Sequence, residues 1–191
     1  MTAHGFTLFD TAIGRCGVAW GERGIVGVQL PQGRSAETRE RVLHRFPTAA
    51  ETPPPAEVQI ALDGIIALLD GAPSDLSTIT LDMSGVPPFH RRVYEFARAI
   101  PPGKTLSYGD IAVQLGARGA ARAVGQALGH NPFPIVVPCH RVLAAGGKIG
   151  GFSATGGITT KLKLLEIEGA QVGEAPTLFE HLPLAARPQR R

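Results

Sequence analysis

A chain of 191 residues, 43% hydrophobic and 18% charged, holds one medium domain or two small ones and is apolar enough to build a core, which excludes a disordered polyelectrolyte. The formal charge of +3 hides an asymmetry: residues 1–84 carry six Lys+Arg against ten Asp+Glu, a balance of −4, and residues 85–191 carry thirteen against six, +7, with all four lysines in the second part. No apolar run approaches the roughly 20 residues of a bilayer span, no charged stretch leads into an apolar one at the start, and the two cysteines, Cys16 and Cys139, make neither a disulfide framework nor a CxxC metal site.

Short apolar pieces at 6–9, 16–20 and 25–30, separated by Gly14, Gly21 and Gly24, predict a meander of β-strands. Residues 35–46 alternate Glu and Arg in a helix-like stretch that a loop with Pro53, Pro54 and Pro55 ends, since prolines supply no N–H. Val58, Ile60, Ala61, Leu62, Ile65, Ile66, Leu68 and Leu69 then form an apolar stripe at helical period. A further strand is predicted over 78–82. The charge balance changes at 85–88, which places a domain boundary there: 1–84, then 85–170, then a Pro-rich tail at 171–191.

The second part reads as mainly helical. Phe89, Val93, Phe96, Ala97 and Ile100 share one helical face, stopped by Pro101 and Pro102. Ser107 is placed to cap a short helix reaching Leu115. Gly116 allows a turn, and a helix of small residues follows from Ala120 to Leu128, ending at Gly129. Two short helices about a Gly-containing turn outline a helix-turn-helix. Alanines and glycines let the second helix approach a surface closely while Arg122 projects as a long cation; tight helix–helix packing would use the same small residues. The basic balance of this half suits a polyanion, although charge by itself fits a solvated face equally well.

In the segment 131–142, three β-branched residues between prolines predict a short, stiff, extended piece that fixes the approach to Cys139. A lone cysteine is by default a small buried hydrophobe. With His140 beside it, the alternative is a thiolate nucleophile served by an imidazole, directly or through a water, and oriented by a carboxylate. Glu166 and Glu168, in the helix over 159–169, are the candidates, and spacing does not choose between them.

Val137-Pro138-Cys139-His140-Arg141-Val142 resembles the active-site signature of the methylated-DNA–protein-cysteine methyltransferases, the O6-alkylguanine-DNA alkyltransferases. Ser107-Tyr108, the helix Ala120-Ala121-Arg122-Ala123-Val124-Gly125, Gly129-His130-Asn131-Pro132, Gly151-Phe152-Ser153, Gly156-Gly157, Lys161 and the run from Leu164 to Gly169 stand in the family's order. The likeness is strong from about Phe89 to Gly169 and general over 6–82. It implies an α+β fold, with an N-terminal ribonuclease-H-like domain and a mainly helical, winged helix-turn-helix-like DNA-binding and catalytic domain.

The resemblance implies DNA repair by irreversible, single-turnover transfer of an alkyl group from guanine O6, or thymine O4, to Cys139. His140 would deprotonate the thiol through a water, Glu168 would hold the imidazole, Asn131 would support the turn, and Tyr108 would protonate the leaving guanine. The base must leave the stack, and Arg122 would fill its place. Ser107, Ala121, Ala123, Gly125 and Arg141 would meet DNA; Val142, Gly151, Phe152 and Ser153 would receive the base. The partner implied is double-stranded DNA containing O6-alkylguanine, met by a cytoplasmic monomer that joins the nucleoid when acting. Neither membrane, metal nor organic cofactor is expected.

Three departures stand out. Ala154-Thr155 lengthens the loop before Gly156-Gly157, Phe152 stands where some relatives have tyrosine, and Cys16, His4 and His44 are too few for the zinc site that some relatives carry. Two rivals remain. A non-catalytic, alkyltransferase-like damage sensor would have no use for Cys139, and a cysteine hydrolase would have none for Tyr108 or the Arg122 helix.

Overall fold

The computed structural model describes residues 2–170 and has a mixed α+β fold. The sequence reading of 171–191 lies outside the described residues. Strands β1 (Gly5–Thr11), β2 (Gly14–Gly21) and β3 (Gly24–Gln29) form the expected antiparallel meander, with tight turns that end at Gly14 and Gly24, where φ is +119° and +115°. Helix α1 (Ser35–Arg45) follows, then β4 (Ala50–Glu51), which pairs in parallel with β1 and gives the order β3-β2-β1-β4.

Alternation along β2 divides the two faces. Cys16, Val18 and Trp20 point toward α2 (Ala56–Leu69), whose buried Val58, Ala61, Leu62, Ile65, Leu68 and Leu69 belong to the stripe read from the sequence, whereas Ile60 of that stripe faces solvent, 70% exposed. Ala19 joins Phe6, Val26, Val42 and Phe46 in a smaller cluster on the α1 side. That helix lies close because two strand positions lack side chains. A Cβ on Gly17 would stand 2.8 Å from Val42, and one on Gly27 2.8 Å from the Phe46 ring.

The strand predicted over 78–82 does not form. Only an isolated bridge, Ile25 to Leu81, ties it to β3. The guanidinium of Arg98 takes the carbonyl of Ile79, which a ladder would need, together with those of Leu76 and Ser77 just before the segment.

Helix α3 (Pro88–Arg98) starts on Pro88, where a missing N–H costs nothing. Strand β5 (Leu106–Ser107) leads directly into α4 (Tyr108–Gln114), and Ser107 makes a full capping box: its hydroxyl accepts from Asp110 N while the Asp110 carboxylate accepts from Ser107 N. Gly116 and Gly119, both at positive φ, form the turn into α5 (Ala121–Gly129). Strand β6 (Val142–Leu143) pairs in parallel with β5, and α6 (Gly157–Ile167) closes the described chain. One apolar cluster runs from β2 and α2 into α3, α4, α5 and the segment before Cys139, and Val28 N donates to Pro132 O across the two parts. Among the described residues no helix is long and apolar enough to cross a membrane.

Candidate active site

The segment leading to Cys139 is a tight loop rather than the extended piece that its β-branched residues predicted. Pro132, Pro134 and Pro138 remove three N–H groups, and the Asn131 side chain substitutes for a ladder. Its Nδ2 donates to Val137 O (2.8 Å) and its Oδ1 accepts from Phe133 N (2.9 Å). Val137 N closes onto Phe133 O at 2.8 Å, and Ile135 is forced to φ +75°. A β-branched residue there stores about 1–3 kcal/mol of strain, held by the burial of Phe133, Ile135, Val136 and Val137.

From this loop the chain enters a single 3₁₀ turn, Cys139–Arg141, with Arg141 N donating to Pro138 O (2.9 Å). The turn sends His140 and Arg141 inward together. His140 is fully buried; its Nε2 stands 2.8 Å from Glu168 Oε1. Arg141 grips the same carboxylate with Nε on Oε2 (2.9 Å) and a terminal nitrogen on Oε1 (2.8 Å), and also donates to Ile100 O. Burial by itself would raise the Glu168 carboxyl, but the hydrogen bonds and charges of His140 and Arg141 outweigh it and bring it down to about 2. Of the two carboxylates left open by spacing, Glu168 meets the imidazole; Glu166 is exposed.

Burial pushes the His140 pKa down, and Arg141 and Lys161 add to that effect against the pull of Glu168. The carboxylate on Nε2 leaves Nδ1 as the lone-pair nitrogen, and Nδ1 is buried without a hydrogen-bond partner among the described residues. The Cys139 thiol, 8% exposed, is pushed up by burial, while Asn131, Lys161 and the backbone N–H groups of Cys139 and His140 favour the thiolate. A buried thiol followed by an imidazole that a carboxylate orients is the arrangement of a nucleophile and its base.

The pairing of β5 with β6 sets Leu106 opposite Val142, so Tyr108 opens α4 beside the end of the cysteine turn. Tyr108, Arg122, Gly125, Gln126, Cys139 and Gly151–Ser153 line an open cavity of about 590 Å³. Cys139 also lines a smaller one of about 160 Å³, walled by Asn131, Pro134, the residues from Phe152 to Thr155 and, from the first part of the chain, Gln32, Arg41 and Arg45. Ala154 and Thr155 therefore share a cavity with Cys139. A larger cavity, about 810 Å³, is lined by Arg98, Arg141 and Glu168 and does not contain Cys139.

Two residues expected at the surface are elsewhere. Arg141, read as a DNA contact, is 5% exposed and spent on Glu168 and Ile100, because a 3₁₀ turn rather than a strand follows Pro138. Val142, read as part of the base pocket, is fully buried and offers only its carbonyl, to Lys161 Nζ at 2.6 Å. Ser107 spends its hydroxyl on the α4 cap, while Arg122 is exposed on α5. Sequence reasoning gave no role to Lys161 itself, although a lysine in the same stripe as Leu164 and Leu165 was the available signal. It also passed over Tyr94, whose buried hydroxyl donates to Ala127 O (2.8 Å) and ties α3 to α5.

Residues 88–170 match the family model described as the DNA-binding domain of 6-O-methylguanine DNA methyltransferase. A methylated-DNA–protein-cysteine methyltransferase of Methanothermobacter thermautotrophicus is 35% identical over 156 residues, 82% of this chain and 80% of the relative. One of Mycobacterium bovis is 46% identical over 129 residues, 68% and 76% of the two chains. Among solved structures, Mycobacterium tuberculosis OGT in complex with DNA superposes with a TM-score of 0.68 at 35% identity, covering 88% of this chain and 94% of that one. The O6-methylguanine-DNA methyltransferase of Pyrococcus kodakaraensis gives 0.66 at 30% identity, covering 86% and 99%.

Proposed function

The chain belongs to the methylated-DNA–protein-cysteine methyltransferase family, which repairs DNA by moving alkyl groups onto a cysteine of the protein, and we propose that Cys139 is that cysteine and guanine O6, with thymine O4 as a lesser donor, the site repaired. The observation that carries this reading is that Cys139 lines one cavity with Tyr108 and Arg122 while the residue after it, His140, is held by Glu168 in a buried pair.

In this mechanism His140 Nδ1 takes the thiol proton through a water, and Glu168 stabilises the imidazolium. Cys139 Sγ then gives its electron pair to the alkyl carbon. The carbon–O6 bond breaks with its pair on oxygen, and the Tyr108 hydroxyl delivers a proton to the leaving guanine. The thioether that forms is stable to mild base, so each molecule acts once. Asn131 keeps the loop in place for this step.

Guanine O6 lies inside the stack, so the nucleotide is turned out at a cost of a few kcal/mol. Arg122 enters the duplex in its place. The small residues Ala121, Ala123 and Gly125 let α5 approach the groove, the first turn of α4 at Ser107 meets the backbone, and Gly151, Phe152 and Ser153 hold the extruded base. Lys and Arg on phosphates supply affinity with little sequence preference, as an inspector of any sequence needs. In finer detail the fold is read as a ribonuclease-H-like unit at 1–84 and a winged helix-turn-helix-like unit at 85–170, working as a cytoplasmic monomer.

Incubation with duplex DNA holding one O6-methylguanine, followed by intact mass, tests the reading. A gain of one methyl group per protein is expected. Binding to the damaged duplex with no gain in mass would overturn it in favour of damage sensing without chemistry.

A further inference from the structure

No step above uses the ammonium group of Lys161. Its side chain is wholly buried, its Nζ donates to Val142 O at 2.6 Å, and it lies 5.9 Å from the centre of the Tyr108 ring. No carboxylate pairs with it among the described residues, and Glu168 is held by His140 and Arg141. Burying an ammonium without an anion is costly, and a lysine so placed belongs where an anion is made.

The ionisable groups around it are few. Cys139, His140 and Arg141 lie on the 3₁₀ turn, Tyr108 opens α4, and Glu168 follows α6 itself. Burial lowers the Lys161 pKa to about 8, and the Cys139 charge acts to raise it. In return Lys161 favours the Cys139 thiolate and opposes a charge on His140. Its anchor, Val142, follows Cys139 by three residues through a rigid turn, so cation and sulfur are held in one frame.

We propose that Lys161 is the counter-cation of the Cys139 thiolate, a positioning residue that supplies a fixed positive charge to the sulfur before attack. This rests on Cys139 being the nucleophile. As Sγ gives its electron pair to the alkyl carbon, the negative charge passes to guanine and, once the proton has left Tyr108, to a phenolate whose ring lies by the same ammonium. The thioether carries no charge, so alkylation removes the anion that kept Lys161 protonated.

The test uses iodoacetamide on the full chain without DNA, with alkylation read on the Cys139 peptide across pH 5 to 10. Lys161→Met should move the midpoint of the rate profile up by at least one pH unit, slow the reaction about tenfold at neutral pH, and converge with the unmodified chain at the alkaline end. Lys161→Arg should recover part of the shift. An unmoved midpoint, or the same loss at every pH, would overturn the proposal. Should the variants not fold, the ¹³Cε resonance of Lys161 in the unmodified chain can be titrated before and after methyl iodide treatment of Cys139. A lower midpoint after methylation is expected, and an unchanged one overturns it. Since neither arm contains DNA, failure of methyl transfer from DNA would be a separate result.

Discussion

His140 and Glu168 are joined Nε2 to Oε1 at 2.8 Å, both side chains almost sealed from solvent, and that contact turns the Nδ1 edge of the imidazole away from the carboxylate. One carboxylate serves two partners, since Arg141 binds both of its oxygens. The imidazole is therefore oriented by a carboxylate whose charge is already partly neutralised.

Acid stability follows from this pairing. The Glu168 carboxyl is held at about 2, below its ordinary value of 4.5, so its contribution is complete above the ordinary value and is lost as pH falls through the folded one. It amounts to on the order of 3 kcal/mol. Glu168→Gln should lose a similar amount at pH 7, because Arg141 is left buried without its anion, and should flatten the fall in stability between pH 5 and 2. Urea unfolding at pH 7, 5 and 3 measures both; an acid limb as steep as that of the unmodified chain would sink the assignment.

Asn131→Ala should leave Phe133 N without its partner and Val137 O with Cys139 N alone inside a buried loop, costing about 1–3 kcal/mol. With Ile135 already strained, the loop should relax and displace Cys139. Thermal melting together with the iodoacetamide rate at Cys139 checks this. A stable variant with unchanged thiol reactivity would show that Asn131 does not hold the loop.

The sequence carried these arrangements unevenly. Strands β1 to β3 were legible from glycine punctuation, α2 from its apolar stripe, and the α4 cap from Ser107, because each signal is local. Strand β4 was not, since a two-residue pairing with β1 depends on where α1 returns the chain. Residues 78–82 have strand composition, yet Arg98, about twenty positions on, takes the carbonyl of Ile79 and those of Leu76 and Ser77 just before it. At the site, residue types and order pointed to Cys139 and His140 and left Glu166 and Glu168 open, and the family resemblance chose Glu168. The inward turn of Arg141 was hidden, because it depends on a 3₁₀ turn that β-branched neighbours disguise.

Arg122 makes no hydrogen bond or ion pair among the described residues and stands exposed on α5. Arg122→Ala should therefore change stability by no more than about 0.5 kcal/mol. It should slow repair of O6-methylguanine in duplex DNA far more than reaction with the free alkylated base. Kinetics on the two substrates side by side measure the split, and equal losses would rule out a role in extruding the base.

The central claim is that Cys139 accepts the alkyl group, and peptide-resolved mass spectrometry after reaction with excess O6-methylguanine duplex tests it most directly. The expected result is one methyl on the peptide carrying Cys139, reaching one equivalent and no more, none on Cys16, whose buried thiol is pushed up to about 11, and none in Cys139→Ala. Methyl on another residue, or methyl gained by Cys139→Ala, would contradict it.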